Sequence, residues 1–167
     1  MSHVVLFLSM AMEIERKFLV NKQRWTEVEK GSGVRYHQGY LSTESKATVR
    51  VRLAGEMAWL TIKGPTTGAS RSEFEYSVPA SDAEAMLDTL CATSLQKIRY
   101  KLMHAGKLWE VDEFLGANEG LLLAEIELPA EDEVFELPPW VGEEVTTDAR
   151  YYNSNLSLHP YQCWKQE

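Results

Sequence analysis

Thr48-Val49-Arg50-Val51-Arg52-Leu53-Ala54-Gly55-Glu56-Met57-Ala58-Trp59-Leu60-Thr61-Ile62-Lys63 is the stretch that decides the fold. On both sides of Gly55-Glu56 the residues alternate with period two, which predicts two strands joined by a tight turn. Val49, Val51, Leu53, Leu60 and Ile62 fall on one face. Arg50, Arg52, Thr61 and Lys63 fall on the other. A short connection of this kind makes the two strands antiparallel neighbours.

The same alternation recurs on either side of that hairpin. Strands are predicted over Glu13–Val20, Arg35–Leu41, Ala47–Leu53, Met57–Lys63, Arg71–Val78, Lys97–Met103, Lys107–Phe114 and Leu121–Leu128. Gly64-Pro65-Thr66-Thr67-Gly68 and Ala105-Gly106 supply further turns. Ser81 with Glu84 reads as a capping box behind Pro79. Ala83, Met86, Leu87, Leu90 and Cys91 then form the apolar stripe of a helix over 81–91. Asn21 is placed to cap a short helix through Trp25. Glu131–Glu136 reads as another, stopped by Pro138-Pro139, with Glu131-Asp132-Glu133 as its solvated start. The tail from Asp148 to His159 reads as partly helical.

The charges come in like-signed groups. Glu13, Glu15 and Lys17 share one face of the first strand. Arg50 and Arg52 share the third, and Glu73 and Glu75 the fifth. Lys97, Arg99 and Lys101 share the sixth, Glu110 and Asp112 the seventh, and Glu125 and Glu127 the eighth. Residues i and i+2 of a strand stand about 6.6 Å apart. Two like charges at that distance repel by roughly 0.6 kcal/mol even in water. A face serving only solubility would mix signs. Eight long antiparallel strands tend to close, and an eight-stranded barrel has room for one small ligand. The expected fold is therefore α+β: a closed eight-stranded antiparallel β-barrel, or tunnel, with a charged interior and a few helices outside. Basic doublets suit phosphate oxygens, and acidic doublets suit a hard divalent cation, Mg²⁺ or Mn²⁺.

Composition removes other classes. The chain has 167 residues, a net charge of −8 and a pI near 5.1, so duplex nucleic acid is not an expected partner. Cys91 and Cys163 lie far apart, which excludes a disulfide framework and a cysteine zinc site and fits a reducing, cytoplasmic setting. His3, His37, His104 and His159 form no ligand pair. No apolar run reaches 18 residues, and no membrane role is expected. In residues 1–11, the apolar run Val4–Leu8 is too short for a secretory leader and follows no Lys or Arg. It reads as an N-terminal extension, from an upstream start codon or as a short extra strand.

Glu13-Ile14-Glu15-Arg16-Lys17 resembles the ExExK signature of the CYTH family, the triphosphate tunnel metalloenzymes. The resemblance continues through Thr48-Val49-Arg50-Val51-Arg52, Thr61-Ile62-Lys63-Gly64, Glu73-Phe74-Glu75, Lys97-Ile98-Arg99, Val111-Asp112-Glu113-Phe114 and Ala124-Glu125-Ile126-Glu127-Leu128. The ending also resembles small bacterial members, through Trp140–Thr146, Arg150-Tyr151 and Asn153–Leu156. It covers about residues 12–161, and 12–167 reads as a single CYTH-like tunnel domain.

The resemblance implies metal-dependent hydrolysis of a small triphosphate, above all inorganic tripolyphosphate to pyrophosphate and phosphate. Thiamine triphosphate hydrolysis, class IV adenylate cyclisation and non-catalytic binding of polyphosphate or nucleotide stay open as alternatives. By resemblance and by charge, Lys17, Arg50, Arg52, Lys63, Lys97 and Arg99 bind the phosphates. Glu13, Glu15, Glu125 and Glu127 lead as metal ligands, followed by Glu73, Glu75 and Asp112. Lys97 and Tyr40 are the catalytic candidates, orienting the attacking water or terminal phosphate. Lys101 is expected at the rim and Glu113 outside, with Glu110 left open. Tyr36, Tyr40, Trp59 and Trp109 are expected to pack rather than to stack on a base. A homodimer is compatible with all of this.

Overall fold

The structure is a computed structural model that describes residues 11–44, 46–65, 67 and 70–166. The expectations for residues 1–10 lie outside the described residues. Among the described residues, β1 (Ala11–Val20), β2 (Val34–Glu44), β3 (Ala47–Ala54), β4 (Met57–Lys63), β5 (Ser70–Val78), β6 (Thr93–His104), β7 (Lys107–Phe114), β8 (Leu122–Glu127) and β9 (Val141–Glu144) form one sheet. Its order is β5-β4-β3-β2-β6-β7-β8-β1-β9, with β1 also paired to β5. Each pairing with a register is antiparallel, and β3 and β4 form the hairpin read from the sequence, Val51 opposite Leu60.

The closed eight-stranded barrel expected from the sequence does not form. The sheet has nine strands and is not a cylinder closed along its length. One edge of β1 pairs with β8 from Glu15 to Leu19. The other edge is divided. Ala11–Ile14 meets β5 over four residue pairs, and Phe18 and Val20 meet β9 instead. The strand β9 was not expected because Val141-Gly142-Glu143-Glu144 does not alternate. It adds to β1 where the backbones come close. A Cβ on Gly142 would lie 3.2 Å from the Leu19 carbonyl oxygen.

Three apolar clusters surround the charged face. Phe18, Val20, Trp109, Val111, Ala124, Ile126 and Leu128 face outward from β1, β7 and the β8 region, and pack under Trp25 and Trp140. Trp25 belongs to α1 (Lys22–Thr26), whose Arg24 N–H donates to Asn21 Oδ1 at 3.0 Å, as the cap reading required. Val51 and Ala58 are covered by Ala83 and Leu87 of α2 (Ala80–Thr89). This helix ends its packing above Gly39 of β2, where a Cβ would stand 2.6 Å from Cys91 Sγ. The third cluster contains Leu95, Phe114, Leu121, Leu123, Val145, Tyr151 and Leu156. It plugs one end of the inner face, and α3 (Asn153–Leu158) closes it.

Three local expectations change. No capping box forms at α2: Pro79 holds the cap position, and the Ser81 hydroxyl turns to Asp82 Oδ1 at 3.5 Å. Leu90 follows the last helical residue and is 63% exposed, so it leaves the apolar stripe. Glu131–Glu136 is a turn followed by irregular chain, not a helix. Six residues nucleate a helix poorly, and side chains fix this segment in another path. Phe135 packs edge-on to Phe18 and Trp109, while Glu133 pairs with Lys107 and Glu136 Oε1 lies 3.4 Å from His104 Nε2.

Candidate active site

Strand parity brings the charged residues to one cavity of about 480 Å³, a size typical of small-molecule sites. Glu15, Lys17, Tyr40, Arg50, Arg52, Lys63, Glu73, Glu75, Lys97, Arg99, Glu125 and Glu127 line it. Asp112 does not. It lies fully buried between Lys97 and Arg99. Glu13 is in β1 opposite Arg71, but its side chain is outside the described residues. Lys101 sits at the rim, with a half-exposed side chain 3.1 Å from Glu110, which also lines the cavity. Trp109 packs in the outer core as expected, whereas Tyr36, Tyr40 and Trp59 line the cavity. Tyr36 and Trp59 flank the Arg52 guanidinium at 5.4 Å and 5.1 Å.

Most of these charges are held in a network. Lys17 Nζ is 2.7 Å from Glu125 Oε1 and 3.5 Å from Glu15 Oε1. Arg99 donates to both Asp112 oxygens at 2.6 Å, to Glu125 at 2.7 Å and to Glu110. Lys97 Nζ donates to Asp112 Oδ2 at 2.5 Å and to Asn153 Oδ1 at 3.3 Å. Lys63 pairs with Glu73 at 2.7 Å. Arg50 donates to Thr61 Oγ1 at 3.1 Å, Thr61 donates to Glu75 at 2.9 Å, and Arg52 donates to Glu75 at 3.2 Å. Among the described residues, the buried Nε atoms of Arg50 and Arg52 have no hydrogen-bond partner. A buried donor without an acceptor is costly, and both belong to guanidinium groups lining the cavity.

The protonation equilibria follow from this packing. Burial, with Arg99 adding to it, lowers the Lys97 ammonium to about 8 despite Asp112. Burial also pulls Lys17 down, but Glu125 and Glu15 outweigh it and hold its pKa above the ordinary lysine value. Burial raises the Tyr40 hydroxyl to about 12 against the pull of Arg50, and Gln38 donates to that oxygen at 2.9 Å. At Asp112 and Glu125 burial is opposed by stronger cationic neighbours. Arg99 and Lys97 depress Asp112, and Lys17 and Arg99 depress Glu125.

Eight basic and six acidic side chains line the cavity among the described residues, in a chain whose net charge is −8. The basic excess therefore belongs to the cavity and not to the protein. The acidic residues offer hard oxygen donors. Glu15 stands directly across from Glu127, and Glu125 across from Lys17. Among the described residues no three carboxylates, imidazoles or thiols converge to hold an ion by themselves. That donor set fits Mg²⁺, which commonly takes one or two carboxylates and completes its shell with substrate phosphates and water.

Several lining residues were not singled out from the sequence: Arg71, Thr48, Thr146, Tyr152, Asn153 and Ser154. Arg71 shares the parity of Glu73 and Glu75 and was legible on that ground. Asn153 and Ser154 carry no charge pattern, and only the path of the tail brings them in.

A CYTH domain model matches residues 11–158. A protein of Acetivibrio thermocellus named inorganic triphosphatase is 48% identical over 158 residues, covering 94% of this chain and all of that protein. One of Nitrosomonas europaea with the same name is 37% identical over 150 residues, 87% of this chain and 97% of the relative. A crystal structure described as an inorganic triphosphatase aligns with a TM-score of 0.62 at 35% identity, over 87% of this chain and 97% of its own. On sequence and on fold alike, the chain belongs to the CYTH domain family.

Proposed function

We propose that the protein hydrolyses inorganic tripolyphosphate to pyrophosphate and phosphate with a divalent metal, Mg²⁺ or Mn²⁺. The observation that carries this reading is a basic cavity inside an acidic protein, with two buried guanidinium Nε groups that find no acceptor among the described residues. Two relatives at 48% and 37% identity named inorganic triphosphatase support it. The two free thiols suit a cytoplasmic setting. Among the described residues, no helix is long and apolar enough to cross a membrane.

Arg50 and Arg52 present paired donors to phosphate oxygens, while Lys17, Lys63 and Arg99 act as fixed positive charges. Glu13, Glu15, Glu125 and Glu127 would lead in holding the metal, with Glu73 and Glu75 behind them. When bound, the metal neutralises phosphate charge and lowers the pKa of bound water. Asp112 has both oxygens engaged by Lys97 and Arg99, so its work is to aim those two cations. Lys97 and Tyr40 orient the terminal phosphate or the attacking water. In such in-line transfer, positioning and charge stabilisation supply most of the rate.

Purified protein with tripolyphosphate and Mg²⁺ or Mn²⁺ releases phosphate on this reading, and omission of metal abolishes release. Glu127→Gln, at an exposed position, and the buried Glu125→Gln each lower the rate by about a hundredfold or more. No release with either metal rejects the function. Normal turnover by both variants removes both carboxylates from the metal site.

A further inference from the structure

We propose that Asn153 is a positioning residue whose side-chain oxygen, carried into the cavity by the C-terminal segment, fixes the direction of the Lys97 ammonium. The inference rests on the triphosphatase reading above and extends it to a residue from the chain's tail. Lys97 is 2% exposed, so water does little to order its three N–H groups. One is taken by Asp112 Oδ2 at 2.5 Å and a second by Asn153 Oδ1 at 3.3 Å. An ammonium only donates, so the amide must turn its oxygen inward and its NH₂ away. The Phe114 ring, 5.5 Å from Nζ, backs the group. The remaining N–H is left for a phosphate oxygen or the attacking water.

Asp112 cannot fix the ammonium alone. The same carboxylate also receives two donors from Arg99, so its position is a compromise between two cations. Asn153 supplies the second point that stops rotation about Cε–Nζ. It does so without adding negative charge to a cavity meant for an anion. Its backbone is held firmly for this purpose. Leu156, one turn on, is fully buried, and its carbonyl accepts from Asn118 Nδ2 at 3.1 Å. The Ser157 and Thr93 hydroxyls meet at 2.9 Å, tying α3 to the start of β6. Asn118 Oδ1 also accepts from the Tyr161 N–H at 2.8 Å, so the chain is clamped on both sides of the helix end.

Asn153→Leu keeps the branched shape and the number of heavy atoms and removes the acceptor. Its kcat for tripolyphosphate falls about tenfold with KM within about twofold of the wild type, the sign of an interaction made in the transition state. Asn153→Asp restores the acceptor, so kcat recovers to within about threefold while KM rises through repulsion of the anionic substrate. In a Lys97→Ala background, Asn153→Leu has no further effect, because the residue acts through Lys97. An unchanged kcat in Asn153→Leu, or the same loss in the Lys97→Ala background, overturns the inference.

A second readout needs no turnover. In ¹⁵N-resolved spectra of the resting protein, the Lys97 ammonium protons exchange slowly in the wild type and faster in Asn153→Leu. Equal exchange in the two proteins also overturns the inference. Faster exchange in a protein that fails to cleave tripolyphosphate rejects the function and leaves the positioning contact standing.

Discussion

The inner face of β1, β6, β7 and β8 divides into two halves of opposite chemistry. In one half stand Glu15, Lys17, Lys97, Arg99, Glu110, Asp112, Glu125 and Glu127. Two residues further along the same strands stand Leu19, Leu95, Phe114 and Leu123. The step between the halves is a single strand repeat of about 6.6 Å. The apolar half is capped by Val145, Tyr151 and Leu156. Charge therefore sits on a dry floor and opens toward water at its other end. Lys97 and Asp112 are in the layer against the floor and are almost wholly buried, whereas the side chain of Lys101, four residues along from Lys97, is 56% exposed. Water excluded from the floor makes each contact there electrostatically stronger, and makes each unpaired group more costly.

The contrast is broken most severely at Asp112. Asp112→Ala leaves two buried cations short of their shared carboxylate, which costs about 3–5 kcal/mol of stability. Urea unfolding reads this as a lower midpoint at an unchanged slope. Phosphate release should be lost as well, because Lys97 and Arg99 lose their direction. A variant within about 1 kcal/mol of the wild type would mean that the charged half tolerates vacancy like a surface.

The apolar half is tested by Leu123→Ala. Truncating this fully buried side chain costs roughly 3 kcal/mol. The two halves separate in the second measurement. Leu123→Ala should keep kcat/KM per folded molecule within about threefold of the wild type, since it removes no group that meets phosphate. A collapse of activity in folded Leu123→Ala would show that the floor aligns the charged layer and does more than seal it.

Period-two alternation made much of this legible. It gives the face on which a side chain lies, so the inward placement of Arg50, Lys63 and Glu125 followed from the sequence. Alternation does not give depth along the strand. Asp112 and Glu125 share a face and a charge, and by charge and resemblance both read as metal ligands, Glu125 ahead of Asp112. In the fold, Asp112 is buried away from the cavity against the apolar floor, and Glu125 reaches the cavity. Strand count failed for a related reason. β9 is recruited by the free edge of β1 and not by its own pattern, and β1 changes partners midway. The segment Glu131–Glu136 carried a helix-like composition, but Phe135 and the Lys107–Glu133 pair hold it as a turn and irregular chain. Asn153 falls in the stretch Asn153–Leu156 that resembles the family's ending, but neither charge nor alternation marks it, because its role depends on what lies beside it after the tail folds back.

The outer face offers the mildest test, at the pair that fastens β9 to β1. Arg16 Nε donates to Glu144 Oε1 at 2.8 Å, with a second contact from Nη2 to Oε2, and Thr146 Oγ1 donates to Oε1 at 2.6 Å. About a third of each charged side chain is exposed. The Arg16 hydrogen bonds, more than burial opposes them, hold the Glu144 carboxyl below its ordinary value of 4.5. A depressed carboxyl contributes stability above its unfolded value and loses that contribution as pH falls through the folded one. Solvent screening limits the contribution to about 1 kcal/mol or less. Glu144→Gln should therefore be slightly less stable than the wild type at pH 7, with the two converging as the pH falls below 4.5 and through the depressed value of Glu144. Added salt should narrow the gap at neutral pH. A gap that persists unchanged in acid would trace it to lost hydrogen-bond geometry. A neutral-pH gap as large as that of Asp112→Ala would erase the distinction between the two faces, because it would give a wet ion pair the weight of a dry one.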